Sequence, residues 1–196
     1  GSDQDFNKVR FGMGVIGSSG VGDFSETDLE KILSGKKVGV SPYVGNISEG
    51  IRGSASPNDL EAPLQLTHLF FKQPRFDVSA WETYKNRQLA LTKNIMASPS
   101  TYYRLKWRAF TSAEHPRNWR LPLADDWTKM DYELIHSVAK SRFTNASDFT
   151  FVFVGNIEEH NLTQLVKTYL CPLPSGPKEN FKDSGMRPKK GNDKLL

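Results

Sequence analysis

Apolar side chains recur at helical spacing over most of the chain. The first run predicts a helix over residues 5–17, and Ser25 with Asp28 predicts a capped short helix with Leu29, Ile32 and Leu33 facing inward. Five further helices are expected to begin at or near Ser56, Ser79, Ser98, Thr128 and Asn156. The helix from Ser56 contains Pro63, which predicts a kink.

Three short segments have the residue pattern of β-strands. Val38–Val44 and Ile47–Gly53 flank Gly45-Asn46, which predicts a hairpin with a two-residue turn. Phe149–Gly155 is rich in β-branched and aromatic residues, so we expect a strand that is covered on both faces.

The segregation of strands from helices predicts an α+β fold. Three strands make a thin sheet for this many helices, so we expect further strands to precede residue 3. An edge left unpaired by their absence favours association between copies.

Length and charge divide the chain into a body and a tail. The 196 residues fit one domain, which we place at residues 3–175. The net charge is +4, and residues 176–196 contain six basic and three acidic residues. We therefore expect a basic linker there, and we expect neither a nucleic-acid partner nor a membrane partner. No apolar run reaches the roughly 20 residues of a membrane-spanning helix.

The sequence lacks the residue pattern of a hydrolytic zinc site. Such a site needs two histidines one helical turn apart with a nearby glutamate, and neither H-E-x-x-H nor H-x-x-E-H occurs. His160 follows two glutamates but has no second histidine within a turn, which is typical of an exposed helix start. Cys171 is the only cysteine, so no disulfide can form within the chain, and its apolar neighbours predict a packed side chain. We expect no catalytic, cofactor-binding or metal-binding residue in this segment.

Two other patterns suggest binding chemistry but favour simpler explanations. Residues 12–17 match G-x-G-x-x-G, yet they follow a helical run instead of a strand, so close helix packing or a flexible connector is the better interpretation. Aromatic and basic residues interleave from Tyr102 to Arg120, a pattern that can bind RNA. On a helix, however, Tyr103, Trp107 and Phe110 share one face, which is ordinary amphipathicity.

Several stretches together resemble a known family. They include the run from Ser18 to Ser25, then Leu33-Ser34-Gly35-Lys36, and above all Ser54-Ala55-Ser56-Pro57-Asn58-Asp59-Leu60-Glu61 and Asp148-Phe149-Thr150-Phe151-Val152-Phe153-Val154-Gly155-Asn156. The order and spacing resemble the bacterial zinc proteases of the pitrilysin/insulinase family, also called inverzincins, over nearly the whole chain.

The resemblance implies both a fold and a role. It implies an insulinase- or mitochondrial-processing-peptidase-like domain, with a mostly antiparallel sheet and helices packed on one face. Members of the family carry zinc on H-x-x-E-H in their first domain, and four domains enclose a peptide in a chamber. Because this chain lacks that motif, it resembles the third, non-catalytic domain, with zinc, peptide substrate and the other domains belonging to the parent. The resemblance is to the periplasmic type.

Two alternatives stay open from the sequence. One is a non-enzymatic insulinase-like subunit, a binding module that acts beside an active partner. The weaker one is an RNA-binding domain that uses the interleaved stretch around Tyr102 and Trp107.

Overall fold

The computed structural model describes residues 3–95, 98–111, 115, 117, 122–180, 182–187 and 190–191. The first predicted helix is present as two, α1 (Asp3–Gly12) and α2 (Gly14–Ser18). Helix α3 (Glu26–Ile32) begins as predicted, because Ser25 and Asp28 form a reciprocal capping box. Gly35, at a φ of 81°, follows the end of α3.

The two predicted hairpin strands are present with a different connection. Strands β1 (Val38–Val44) and β2 (Glu49–Ala55) pair antiparallel, and Val44 lies opposite Glu49. The predicted two-residue turn is therefore wrong. The loop has four residues, and the Gly45 amide donates to the Ser48 carbonyl across 2.7 Å.

A short 3₁₀ turn at Pro57–Asp59 connects the hairpin to helix α4 (Glu61–Lys72). The helix therefore begins later than predicted, and Pro63 falls in its first turn, where a missing N–H costs no helical hydrogen bond. Pro63 lies within the helix as expected, but its position in the first turn gives no reason for the predicted kink. Helices α1, α2 and α4 contact the hairpin.

Helix α5 (Val78–Ile95) begins at a different cap from the one predicted. Oδ1 of Asp77 accepts hydrogen bonds from the amides of Ser79 and Ala80, at 2.9 and 3.1 Å, so aspartate caps the helix in place of Ser79. The hydrogen bond from the Ala80 amide is the largest cause that lowers the pKa of Asp77. Hydrogen bonds from the Ser79 amide and the Arg75 guanidinium lower it further.

Replacement of this cap should lower stability in a pH-dependent way. We expect Asp77→Ala to reduce the free energy of unfolding by about 1 kcal/mol at pH 7, because two helix amides lose their acceptor. A carboxylate with a lowered folded-state pKa stabilises the fold above its unfolded pKa. The usual pKa of an aspartate, which applies to the unfolded chain, is 3.8, and the pKa of Asp77 in the folded chain is lower. The stabilisation is therefore present above pH 3.8 and is lost as the pH falls through the folded-state pKa. Urea unfolding at several pH values measures the difference. Asp77→Asn, an equally good cap that does not titrate, should keep the cap without this pH dependence.

Four further helices follow α5 in the described residues. They are α6 (Pro99–Thr111), α7 (Ala124–Thr128), α8 (Tyr132–Arg142) and α9 (Glu159–Tyr169). Helix α8 begins later than the predicted start at Thr128, because Asp131 is its cap and accepts from the amides of Glu133 and Leu134. Residues 116 and 118–121 of the polar loop predicted between His115 and Asp126 lie outside the described residues, and α7 begins within the loop.

One core joins most of these elements. Its fully buried members include Val15, Ile16, Val21, Trp127 and Ile135. The OH of Tyr169 on α9 donates to Oε1 of Glu61 at 2.5 Å, and the Tyr169 carbonyl lies 2.6 Å from Nδ1 of His68. These polar contacts fix α9 to α4 at the edge of the core.

Some large apolar side chains on the helices are exposed. Ile32 on α3, which was predicted to face inward, is more than half exposed. Tyr103 and Trp107 on α6 are also exposed, at 61% and 47%. Cys171 is exposed as well, because the turn after α9 directs its neighbours Leu170 and Leu173 inward instead. Helical spacing identifies a shared face, but it does not show that another element covers that face.

The predicted strand Phe149–Gly155 is extended but unpaired. The hairpin forms a two-stranded sheet, and no strand within the described part of the chain pairs with residues 149–155. Val152 and Val154 are 75% and 92% exposed, so the expectation that both faces are covered is wrong for this chain. The α+β class is confirmed, with a smaller sheet than the sequence pattern suggests.

Candidate functional site

A concave surface lies between strand β2 and the segment 149–157. We call it the strand groove. Its cavity volume is about 390 Å³. Residues 51 and 53–57 form one wall, residues 149–157 form the other, and the floor comes mainly from α4 and consists of Leu60, Pro63, Leu64, Thr67, Phe71 and Leu170.

The side chains of the extended segment alternate between two environments. Phe149 and Phe151 face the floor, where their rings lie 5.0 and 6.4 Å from the ring of Phe71. Val152 and Val154 point away into solvent. This alternation is that of a β-strand with one face on the helices. The sequence predicted the extended conformation, but it did not reveal the groove beside it.

Polar contacts hold the first wall against the floor. Oδ2 of Asp59 accepts a hydrogen bond from the Ser56 hydroxyl at 2.5 Å and another from the Lys37 amide at 3.1 Å. These two bonds, the hydroxyl first, lower the pKa of Asp59. One carboxylate therefore ties the start of β1 and the end of β2 to the turn that leads into α4.

An ion cluster joins the hairpin, α8 and the tail. Nη1 of Arg142 lies 3.4 Å from Oε1 of Glu49 and 2.9 Å from Oε2 of Glu179. Burial raises the pKa of Glu49, and the neighbouring guanidinium offsets part of that rise. Burial acts to lower the pKa of Arg142, but the two carboxylates outweigh it and raise the value. Sequence reasoning missed this cluster, because its members are far apart along the chain and no local motif marks them.

The histidines are dispersed, and their environments do not fit a zinc site. His68 contacts the Tyr169 carbonyl, and the ring of His136 packs on Phe76. His115 lies with Nε2 3.0 Å from the Ser184 carbonyl, while its Nδ1 accepts from the Arg117 amide. His160 is exposed at the start of α9. Within the described ranges, no three histidine, cysteine or acidic side chains come together as metal ligands.

The glycine-rich motif serves helix packing. Gly12 and Gly14 flank the junction of α1 and α2. A Cβ on Gly12 would collide with the side chain of Ile135, and one on Gly14 would collide with the ring of Tyr84. The strand that a dinucleotide site requires before this motif is replaced by α1, so the packing interpretation is confirmed.

The exposed face of α6 carries the interleaved aromatic and basic residues. The rings of Tyr103 and Trp107 are stacked, with centroids 6.4 Å apart. Lys106 Nζ lies 5.5 Å from the ring centroid of Tyr102. The later part of this stretch, including Trp119 and Arg120, lies outside the described residues.

Among the helices that the structure does describe, none combines the length and apolar character needed to cross a bilayer.

Comparison of the sequence with known proteins gives a distant relationship. No family model matches the chain. The "Probable zinc protease PqqL" of Haemophilus influenzae is 22% identical over 174 residues, which are 88% of this chain. The chain spans only 18% of the length of that relative.

Comparison of the structure with solved proteins gives the same fold. The periplasmic protease PqqL from Escherichia coli matches with a TM-score of 0.70 at 20% identity, over 98% of this chain and 21% of its own. A protease from Helicobacter pylori matches with a TM-score of 0.72 at 12% identity, over 93% of this chain and 45% of its own. The predicted resemblance is thus confirmed: the chain is similar, in sequence and in fold, to a segment of these insulinase-like zinc proteases.

Proposed function

We propose that this chain is a non-catalytic domain that forms part of the substrate chamber of a zinc endopeptidase, the third of four similar domains. The observation that carries this proposal is the match of almost the whole chain to about a fifth of a much longer protease, in a segment that lacks H-x-x-E-H. The dispersed histidines give a further reason, since neutral imidazoles must converge to hold zinc.

The parent protein would supply the chemistry and the compartment. In this proposal zinc is held by residues outside the 196, and its role there is to activate water for peptide hydrolysis. The substrate would be a peptide held in a chamber, and this domain would form part of the chamber wall. The periplasm is the proposed compartment, because the PqqL structure is that of a periplasmic protease.

We further propose that residues 3–175 form the domain and residues 176–196 form a connector toward the next one. The start of the connector is bound to the domain surface. The Gly176 amide donates to Oδ1 of Asn145 at 2.8 Å, and the Glu179 amide donates to Oδ1 of Asp148 at 2.6 Å. These contacts set the direction in which the connector leaves the domain.

An activity assay on the 196-residue chain tests the proposal. We expect no peptide hydrolysis above background with a broad set of fluorogenic peptides, with or without added Zn²⁺, and no stoichiometric zinc in the purified chain. The parent protein, assayed in parallel, is the positive control. Turnover by the 196-residue chain that a chelator abolishes and Zn²⁺ restores would overturn the proposal.

A related alternative is a non-enzymatic subunit that works with an active partner. It predicts the same inactivity for this chain, so only the parent distinguishes the two. An H-x-x-E-H motif earlier in the parent supports the peptidase, and a parent without it supports the subunit.

The RNA-binding alternative has one observation in its favour, which is the exposure of Tyr103 and Trp107 on α6. Stacking of bases on these rings, with neutralisation of phosphates by Arg104 and Arg108, would give an affinity that falls steeply with salt. Undetectable or salt-insensitive binding to single-stranded RNA would remove this alternative.

A further inference from the structure

Helix α6 contributes no buried side chain to the core, although its outer side is rich in aromatic residues. Tyr102, Tyr103 and Trp107 are each about half exposed or more. A helix of 13 residues is only marginally stable alone in water, and helices of folded proteins normally bury their apolar side. These rings therefore form an apolar surface that is open to a partner.

The rings are already ordered before any partner binds. Tyr103 and Trp107 stack on one another, and the ring of Trp107 lies 6.2 Å from that of Phe110. Ordered aromatic surfaces lose little conformational entropy on binding, so they suit recognition. We call one contiguous sector of the helix the α6 face, and it consists of Tyr102, Tyr103, Arg104, Lys106 and Trp107.

The charge on and beside the α6 face is positive. Helices α5 and α6 together contain six basic residues and one acidic residue. The rest of the chain up to residue 175 has the opposite balance, with 18 acidic and 14 basic residues. Arg104 donates to the Thr101 hydroxyl and Lys106 lies over the ring of Tyr102, and neither forms an ion pair with a carboxylate of the described residues. The α6 face thus combines apolar rings with cations that can still pair with an acid.

This combination selects among the possible occupants. The connector after residue 175 and the α6 face of a second copy both carry excess positive charge, so each would be repelled. RNA would stack its bases on open ring faces, but Trp107 packs against one face of Tyr103 and Lys106 covers one face of Tyr102. An acidic peptide needs no stacking, because its carboxylates pair with the cations while its apolar side chains pack on the rings.

We propose that the α6 face binds an acidic, partly apolar segment of the peptide substrate. The inference rests on the proposed function, because that function makes the peptide the substrate of the parent. Carboxylates of the segment pair with Arg104 and Lys106, and an apolar side chain packs on Tyr103 and Trp107. The helix is about 20 Å long, which matches an extended segment of about six residues. The α6 face thus anchors substrate and takes no part in the hydrolysis itself.

Binding of a matched pair of peptides gives the first test and needs no substitution. The dye-labelled peptides EELYEE and KKLYKK differ only in the sign of their charges. We expect EELYEE to bind the 196-residue chain at least about ten-fold more tightly, and to lose affinity several-fold between about 50 and 300 mM NaCl. Fluorescence anisotropy measures both. Equal or undetectable binding of the two peptides would overturn the proposal.

Charge reversal locates the binding surface. We expect the double variant Arg104→Glu, Lys106→Glu to bind EELYEE at least about ten-fold more weakly. The control is Lys140→Glu, Lys167→Glu, which changes two exposed lysines on α8 and α9 and gives the same net charge. Equal weakening in both double variants would contradict the proposal, as would tighter binding of single-stranded oligouridine at the α6 face. Thermal unfolding checks that both variants stay folded.

Kinetics of the parent protein test whether the bound segment is substrate. With a fluorogenic peptide that contains EELYEE, we expect reversal at the α6 face to raise KM about ten-fold at unchanged kcat, and the control to change neither. Hydrolysis with the same KM in both double variants would overturn this inference alone, as for a face that another domain of the parent covers. A parent that hydrolyses no peptide would overturn the proposed function and, with it, the assignment of the segment as substrate.

Discussion

Replacement of Phe71 by alanine should lower the free energy of unfolding of the chain by about 3–5 kcal/mol, the usual cost when a large aromatic core side chain is truncated. Phe71 is 3% exposed and lies where three parts of the structure meet. Its ring packs edge-on against Phe143 at the end of α8 and against Phe149 in the extended segment, with centroids 6.1 and 5.0 Å away. Alanine would leave a cavity that these rigid neighbours fill poorly.

Urea unfolding followed by circular dichroism measures this loss. Tyr103→Ala is the control, because it also removes an aromatic ring from a helix but from an exposed position, and we expect it to change stability by no more than about 0.5 kcal/mol. Similar losses for the two variants would show that the aromatic cluster is not part of the stabilising core.

The same measurement shows whether the extended segment is part of the folded unit. In a double-mutant cycle of Phe71→Ala and Phe149→Ala, the perpendicular rings should couple by about 0.5–1.5 kcal/mol. A segment held only loosely on the surface would give additive losses.

The sequence was most informative where the responsible groups are close together along the chain. Ser25 caps a helix through Asp28, only three residues later, so that start could be predicted. The start of α8 was predicted too early, because Asp131 and not Thr128 is its cap. The start of α5 was harder, because Asp77 and Ser79 are both good caps and only the backbone geometry decides between them.

The hairpin register shows a second limit. The predicted turn places Val44 opposite Ile47, whereas the structure places it opposite Glu49. A shift of two residues leaves every side chain on its own face of the sheet. The alternation of apolar and polar residues therefore fits both registers equally well. The geometry of the loop, closed by the Gly45–Ser48 hydrogen bond, makes the difference.

The candidate site was largely beyond prediction, because it depends on pairing between distant segments. The composition of Phe149–Gly155 predicted a strand covered on both faces, but it could not show that the described chain has no strand to pair with it. Glu49 and Arg142, which meet in the ion cluster, are likewise 93 residues apart. The family resemblance was visible because it rests on short runs of residues, which do not require knowledge of the tertiary contacts.

Replacement of Gly20 by alanine should destabilise the chain by about 2–5 kcal/mol. Gly20 has a φ of 80°, a conformation that costs an L-residue roughly 1–2 kcal/mol. Its added Cβ would also overlap the carbonyl oxygen of Phe24 and come within 2.8 Å of the Cα of Ser25, an overpacking that costs about 1–3 kcal/mol more. This backbone cannot move away easily, because Val21 is fully buried and pairs with both Phe24 and Pro74.

Gly35 separates the two contributions to this cost. Its φ is 81°, almost the same as that of Gly20, but an added Cβ would meet nothing within 4 Å. Gly35→Ala should therefore cost only the conformational part, roughly 1–2 kcal/mol. The difference between the two variants in urea unfolding then measures the overlap with the backbone of Phe24 and Ser25. Equal losses at both positions would show that the turn after α2 relaxes to accept a side chain, and that its contacts with Pro74 do not hold it rigidly.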